Sequence, residues 1–181
     1  MKKVSLYIPK LEDLWYREKC MSDPDTMSYN AGYDVHYDGY HYETGCIDFP
    51  VENHELWYKE KMNNPNFFYA YIKDEETKDW VGYVNFNKNP ETNKATMGIV
   101  IESIHQGKGY MRPAMRELIK KAEGKGVFAL TDTVPETREN ALKVFYDLGF
   151  KRVGVIDGMK FNKPEVVAEI ELQVKENCKI D

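Results

Sequence analysis

Apolar residues recur along this chain with two different periods. Phe67-Phe68-Tyr69-Ala70-Tyr71-Ile72 and Trp80-Val81-Gly82-Tyr83-Val84-Asn85-Phe86 are short aromatic and β-branched runs on either side of a polar turn, Lys73 to Asp79. A third run, Ala95 to Glu102, follows the turn Asn89-Pro90-Glu91-Thr92-Asn93, so the pattern predicts an antiparallel three-strand meander. A helix is expected from about Arg112 to Glu123, with Pro113 tolerated in its first turn and Gly124 and Gly126 stopping it. Val127 to Thr133 reads as a buried strand, followed by Pro135 and a helix whose apolar stripe is Ala141, Leu142, Phe145 and Leu148. Gly149 ends that helix and Phe150 opens a strand through Val155; Val166 to Val174 fits a last strand, with a helix as the alternative reading.

The N-terminal third is less regular. Val4 to Ile8 reads as a strand that Pro9 ends, and Leu11, Leu14, Trp15 and Glu18 fit a short amphipathic helix stopping near Ser22-Asp23-Pro24. A second helix is expected over Val51 to Met62 with Leu56, Trp57 and Met62 inward. Between them, Tyr29 to Asp48 is aromatic and acidic without either period, which predicts a long loop, and long loops in compact domains often carry function.

With 181 residues, 42% hydrophobic and 30% charged, the whole chain, 1–181, reads as one domain able to bury a core without disulfides or metal. No apolar run approaches the ~20 residues of a membrane helix, and the piece between Lys3 and Pro9 is too short for a signal peptide. A cytoplasmic protein with no membrane association is expected. Cys20, Cys46 and Cys178 are widely spaced with no histidine cluster nearby, so a metal site is not expected and a buried thiol is the plainer reading of Cys46 than a nucleophile. The net charge of −5 speaks against nucleic-acid binding.

Positive charge is nevertheless concentrated in one place. Lys108, Arg112, Arg116, Lys120, Lys121 and Lys125 stand against only Glu117 and Glu123, directly after the strand Met97 to Ile101 and the turn Gln106-Gly107-Lys108-Gly109-Tyr110-Met111. A strand, a glycine-rich basic turn and a helix start make an anion cradle: glycines admit close backbone approach, and the helix adds its N–H groups and dipole. It is not a P-loop, since Glu102 occupies the place of the first glycine and Gly109 follows Lys108, and Arg112 stands where a dinucleotide fingerprint has its third glycine. The turn resembles the Gln/Arg-x-x-Gly-x-Gly/Ala loop of the GNAT superfamily of acyl-CoA-dependent N-acetyltransferases, with Met111 in place of the small last residue. A second marker, Arg138 to Phe150, is similar to that family's Asn-x-x-Ala/Ser-x-x-x-Tyr-x-x-x-Gly-Phe.

That resemblance covers about Phe67 to Val155 and implies an α/β (mixed α+β) fold with a central, mostly antiparallel twisted sheet of roughly six to seven strands and about four helices. It implies acetyl transfer from acetyl-CoA to a primary amine of a small molecule or peptide, without a metal. The chemistry needs a neutral amine although a free alkylamine has a pKa of about 10, a stabilised oxyanion, and a proton for the departing thiolate. By resemblance, the backbone of Ile99, Val100 and Ile101 pairs with the pantetheine arm, and Gln106, Gly107, Lys108, Gly109, Tyr110 and Met111 hold the pyrophosphate. Arg138 and Asn140 are further cofactor contacts by the same resemblance. The family's proton-donating tyrosine falls on Phe145, with Tyr146 one place later, so Tyr146 is the expected acid although one helical position turns it by about 100°. Glu102 and Asp132, each at a strand end, are the expected bases. Tyr33, Tyr37, Tyr40, Asp34 and Glu43 are expected to receive a cationic acceptor through charge and cation–π contact. The resemblance also points to a homodimer, and its alternatives are an N-terminal protein acetyltransferase and a non-catalytic acyl-CoA sensor, the latter suggested by Phe145 and Met111.

Overall fold

The computed structural model describes residues 2–174. Its strands are β1 Val4–Tyr7, β2 Phe67–Asp74, β3 Trp80–Lys88, β4 Lys94–Ile101, β5 Ala129–Pro135, β6 Lys151–Lys160 and β7 Lys163–Gln173. Its α-helices are α1 Trp15–Ser22, α2 Pro24–Met27, α3 His54–Met62, α4 Met111–Gly124 and α5 Glu139–Asp147. The strands form one seven-stranded sheet in the order β1-β2-β3-β4-β5-β7-β6, antiparallel throughout except where β4 meets β5. This is the expected mixed α/β architecture, with α2, a single turn, as a helix beyond those expected.

Both faces of the sheet are covered, which explains why the meander reads as continuous apolar runs rather than as apolar/polar alternation. Along β2, Phe68, Ala70 and Ile72 face a core shared with Ala114, Met115 and Leu118 of α4 and Leu142 and Phe145 of α5. Tyr69 and Tyr71 face the opposite way, into a cluster with Tyr16 and Cys20 of α1, Tyr83 and Val100. The Arg17 guanidinium lies within this second cluster, 4.5 Å from the Trp57 ring centre and 5.1 Å from that of Tyr69. Aromatic π-faces replace a carboxylate partner there. A bulge at Val81, which the β2–β3 register skips, turns that side chain to the α4 face.

The structure corrects several inward-facing assignments. Leu11 and Trp15 are exposed, and α1 buries Tyr16, Cys20 and Met21 instead, because its inner stripe is set by the tyrosine face of the sheet. Leu56 is exposed, while His54 is buried, its ring stacked on Phe49 with its Nε2 3.2 Å from the Phe49 carbonyl. The segment after Phe150 runs on to Lys160 and returns as β7 through Phe161 and Asn162, both with positive φ (48° and 58°). The sequence hid this turn because Phe161 is not a residue that usually adopts such a conformation. Of the cysteines, Cys20 and Cys46 are buried thiols and Cys178 lies outside the described residues.

Gly82 fixes how closely β3 and β4 approach. A Cβ there would overlap the Val100 carbonyl oxygen and press on the Ile101 backbone. Gly82→Ala is expected to lower unfolding free energy by about 1–3 kcal/mol in urea denaturation.

Candidate active site

The β4–β5 ladder consists of Lys94↔Ala129, Ala95↔Leu130 and Thr96↔Thr131. Beyond it β4 stays with β3 as far as Ile101, and β5 stays with β7 as far as Pro135, so the carboxyl halves of the two parallel strands part. Between them opens a cleft of about 1130 Å³. Its walls come from β4 (Ile99, Val100, Ile101), the turn and helix start from His105 to Pro113, β5 (Asp132, Val134), and α5 with the residue before it (Arg138, Asn140, Ala141, Val144, Phe145). Thr26, Ser28 and Tyr29 close it from the other face of the sheet, and Lys2, Glu76 and Lys160 stand at its margins.

One wall is unpaired backbone. The Glu102 N–H donates to the Val81 carbonyl at 3.0 Å and the Asn89 N–H to the Lys94 carbonyl at 2.8 Å, which fixes the even-numbered residues of β4 as those bonded to β3. The N–H and C=O groups of Ile99 and Ile101 therefore point into the splay. The Ile101 carbonyl accepts from Gln106 Nε2 at 3.0 Å, which leaves two N–H groups and the Ile99 carbonyl arranged as the edge of a strand. An extended ligand bearing amides can pair with such an edge.

The glycine turn forms the far end. Gly107 (φ 72°) and Gly109 (φ 84°) are left-handed, and no atom lies within 4 Å of where their Cβ atoms would be, so the turn presents backbone to open space. Helix α4 begins at Met111 without a side-chain cap, so its first N–H groups are free for an anion. The turn is clasped from behind. Tyr110 donates its hydroxyl to Asp74 at 2.6 Å, and Asp74 also accepts from Lys2 Nζ (3.2 Å) and from the backbone N–H of Glu76 (2.8 Å). These bonds, that from Tyr110 first, hold the Asp74 carboxyl well below the usual carboxylate range. Met111, in place of the family pattern's small residue, packs partly against the core. The basic residues of α4 divide: Arg112 lines the cleft but is held by Asp147 at 2.7 Å, and Lys120 pairs with Glu117 at 2.8 Å on the outer face.

Every residue expected to touch a cofactor lines this cleft: Ile99, Val100, Ile101, Gln106 to Met111, Arg138 and Asn140. The expected catalytic residues separate. Asp132 lines the splay, and burial pushes its carboxyl up to about 6 against the opposing pull of the Thr133 N–H and Arg138. Glu102 is buried beneath the strand, taking the Tyr16 hydroxyl at 3.0 Å and Lys19 Nζ at 2.5 Å, and is not among the lining residues. Tyr146 is exposed on α5 and stands outside the cleft, as its helical position dictates, while Phe145 both lines the cleft and belongs to the core.

The loop expected to receive the acceptor is folded on itself and tied to the sheet edge. Tyr33 donates to Glu165 at 2.6 Å, Tyr40 donates to the Asn30 carbonyl at 2.8 Å, and the Phe161 N–H donates to the Gly32 carbonyl at 2.7 Å. Tyr37 lies against the Tyr40 ring (5.2 Å), Asp34 pairs with His36 at 3.5 Å, and Glu43 is exposed. None of Tyr33, Tyr37, Tyr40, Asp34 or Glu43 lines the cleft. Among the lining residues that sequence reasoning missed are Tyr29, Lys2 and Lys160, which reach the cleft only through long-range packing and have no motif of their own.

Comparison with known proteins now bears on this geometry. The Acetyltransferase (GNAT) family matches residues 31–150. Among solved structures, the spermidine N-acetyltransferase from Vibrio cholerae in complex with CoA and spermine is 16% identical, covers 98% of this chain and 99% of its own, and superposes with a TM-score of 0.80. The F149G mutant of the SpeG spermidine N-acetyltransferase from Vibrio cholerae is 16% identical over 98% of this chain and 97% of its own, with a TM-score of 0.76. A search of curated proteins finds no match. Among the described residues no group of three or more His, Cys, Asp or Glu is gathered to hold a metal ion, and no helix is long and apolar enough to cross a membrane.

The Asp132 carboxyl carries a stability signature. Its folded pKa of about 6 lies above the ordinary value of 3.8, so the unfolded chain gives up the proton first and stability falls as pH rises between the two. Asp132→Asn, neutral throughout, is expected to raise unfolding free energy at pH 7 by about 1–3 kcal/mol. That advantage should vanish at pH 3, as read by thermal denaturation at both pH values.

Proposed function

Since the chain belongs to the Acetyltransferase (GNAT) family, whose reaction moves an acetyl group from acetyl-CoA to an amine, we propose that the β4–β5 cleft is where that transfer takes place. The observation that carries this reading is the pairing, in one cleft, of a free strand edge at Ile99 and Ile101 with an open glycine turn at the head of α4. The N–H groups from Gln106 to Met111 hold the pyrophosphate, with Lys108 and Lys2 supplying positive charge. The edge groups of Ile99 and Ile101 bond the pantetheine amides, and one of the two N–H groups serves the oxyanion. Arg138 and Asn140, at the start of α5, flank the arm. Acetyl-CoA contributes an already activated acyl group, so positioning supplies much of the rate.

Asp132 is the group we assign as base. It lines the same cleft as Ile99 and Ile101, which supports a role beside the attacking amine, and a carboxyl titrating near 6 is ionised at neutral pH while still able to accept a proton. Glu102, held by Tyr16 and Lys19, sets the charge beneath the strand and reaches the amine only through water.

The acceptor is proposed to be a small primary amine entering between the Tyr29 turn and the β6–β7 hairpin, and the polyamine acceptor of the Vibrio cholerae enzyme is the first to try. A homodimer suits the edge strand β6, on which Val153, Val155, Ile156 and Met159 are exposed. A single-domain, cytoplasmic enzyme completes the proposal.

Two measurements test it. Calorimetric titration with acetyl-CoA should show binding that Gly109→Glu abolishes, since a carboxylate in the turn repels the pyrophosphate; equal binding by both proteins would move the cofactor elsewhere. For an alkylamine acceptor, log kcat/KM should rise with pH at a slope of about two below pH 6, where amine and Asp132 must both lose protons, and of about one above it. In Asp132→Asn the slope should be about one throughout, with the rate at pH 7 lower by roughly 10²-fold. An unchanged break near pH 6 in the variant would rule out Asp132.

A further inference from the structure

Cleavage of the thioester leaves an electron pair on sulfur, and the departing thiolate has to gain a proton. Phe145 offers none, and the Tyr146 hydroxyl lies outside the cleft. The Tyr110 hydroxyl is committed to Asp74 at 2.6 Å, and His105 packs edge-on to the Tyr110 ring at the phosphate end. Near the splay stand Arg138, which does not release a proton in water, Lys160, Asp132 and Tyr29. Lys160 is engaged elsewhere, its Nζ donating to the Tyr29 carbonyl at 3.4 Å and lying 5.3 Å from the Tyr33 ring centre.

Tyr29 is the phenol that remains, and its placement is fixed from several sides. It sits in the 3-10 turn Ser28–Asn30 that directly follows α2. The start of α2 is fastened to the end of β4, because the Ser103 N–H donates to Thr26 Oγ1 and the Ser103 hydroxyl to Asp23, both at 2.9 Å. Next in the turn, Asn30 Nδ2 donates to the Gly45 carbonyl at 3.0 Å. The ring of Tyr29 packs against the tyrosine cluster that includes Val100, and the Arg138 guanidinium lies 5.5 Å from its centre. No described residue takes its hydroxyl in a hydrogen bond, so the group is free for a ligand.

We infer that Tyr29 delivers the proton to the departing sulfur, an assignment that rests on the cleft being the acetyl-CoA site. In the step, the amine nitrogen bonds to the acetyl carbon and its surplus proton passes to the Asp132 carboxylate. The carbon–sulfur bond then breaks with its electron pair going to sulfur, sulfur takes the Tyr29 phenolic proton, and the phenolate recovers a proton from Asp132 through water. The products are the amide and the free thiol, with both side chains restored. Burial keeps the Tyr29 phenol protonated at neutral pH, and the guanidinium over its ring stabilises the transient phenolate.

The test compares wild type, Tyr29→Phe, and Tyr29→Phe combined with Phe145→Tyr. Because the hydroxyl has no hydrogen-bond partner among the described residues, the phenylalanine variant should fold as wild type does, checked by circular dichroism. First, the thiol pKa of bound CoA is read from thiolate ultraviolet absorbance, which needs no acceptor. A phenol donating to sulfur favours the thiolate, so Tyr29→Phe should bind CoA as before but hold about tenfold less of it as thiolate at a given pH. Second, acetyl transfer to spermidine, or to whichever amine a panel identifies, should fall by about 10²-fold in Tyr29→Phe and recover at least tenfold when Phe145→Tyr returns a phenol to the cleft. An unchanged thiol pKa in Tyr29→Phe with CoA still bound overturns the assignment. So does a loss of rate that the second phenol fails to restore while CoA affinity is intact. Failure of wild type to bind CoA overturns the cleft as cofactor site, and this assignment with it.

Discussion

Between β4 and β5 the ladder stops after three residue pairs, and the rest of the molecule is arranged around that interruption. Each strand keeps its other neighbour, so neither is left without support, yet each presents one row of peptide groups to an opening. Buried or half-buried peptide groups without partners are costly, and the structure leaves the row at Ile99 and Ile101 for something that bonds like a strand. The site is also where a parallel sheet normally takes its ligands, beyond the carboxyl ends of adjacent parallel strands. The helix α4 that links these strands begins at the opening and directs its free N–H groups there.

An opening in the middle of a sheet persists only if both faces are firmly packed. On the α4 and α5 side this is done by aliphatic and phenylalanine side chains. On the other side the task falls to tyrosines, whose rings are buried while some hydroxyls find distant backbone: Tyr71 donates to the Asp13 carbonyl at 2.8 Å and ties the start of α1 to β2. Tyr16 reaches Glu102, the residue directly after β4. The tyrosine cluster therefore packs the sheet and also positions the elements that close the cleft, among them the turn bearing Tyr29.

Much of this was legible in the sequence. The meander, the glycine turn and the stripe Ala141-Leu142-Phe145-Leu148 depend on local period and on glycine punctuation, and the residues expected at the cofactor all line the cleft. What was misread depends on contacts between distant segments. Leu56 and Trp15 look like core residues, but the tyrosine face of the sheet dictates a different phase for their helices. The acidic tyrosines from Tyr33 to Tyr40 look like a receptor for a cation, whereas Tyr33 and Tyr40 spend their hydroxyls fastening the loop. Tyr29, in the same stretch, gave no local signal that set it apart. Contacts between distant segments distinguish it, among them the packing of α2 against Ser103 and of its ring against the tyrosine cluster.

The charge on this chain is distributed with the same economy. A protein of net charge −5 must receive a polyanion, and the cations near the turn do not all serve that end, since Arg112 is neutralised by Asp147. Lys108 has no ion pair among the described residues, while Lys2 is shared with Asp74 and lies over the Tyr110 ring. If the turn holds the pyrophosphate as proposed, much of the attraction there comes from fixed peptide dipoles, whose orientation the Tyr110–Asp74 clasp maintains. At the other end, burial raises the pKa of the Asp132 carboxyl that lines the splay to about 6. On the proposed reading, a cleft with oriented dipoles at one end and a titrating acid and a phenol at the other binds with the first and moves protons with the second. These two functions meet along the unpaired edge of β4.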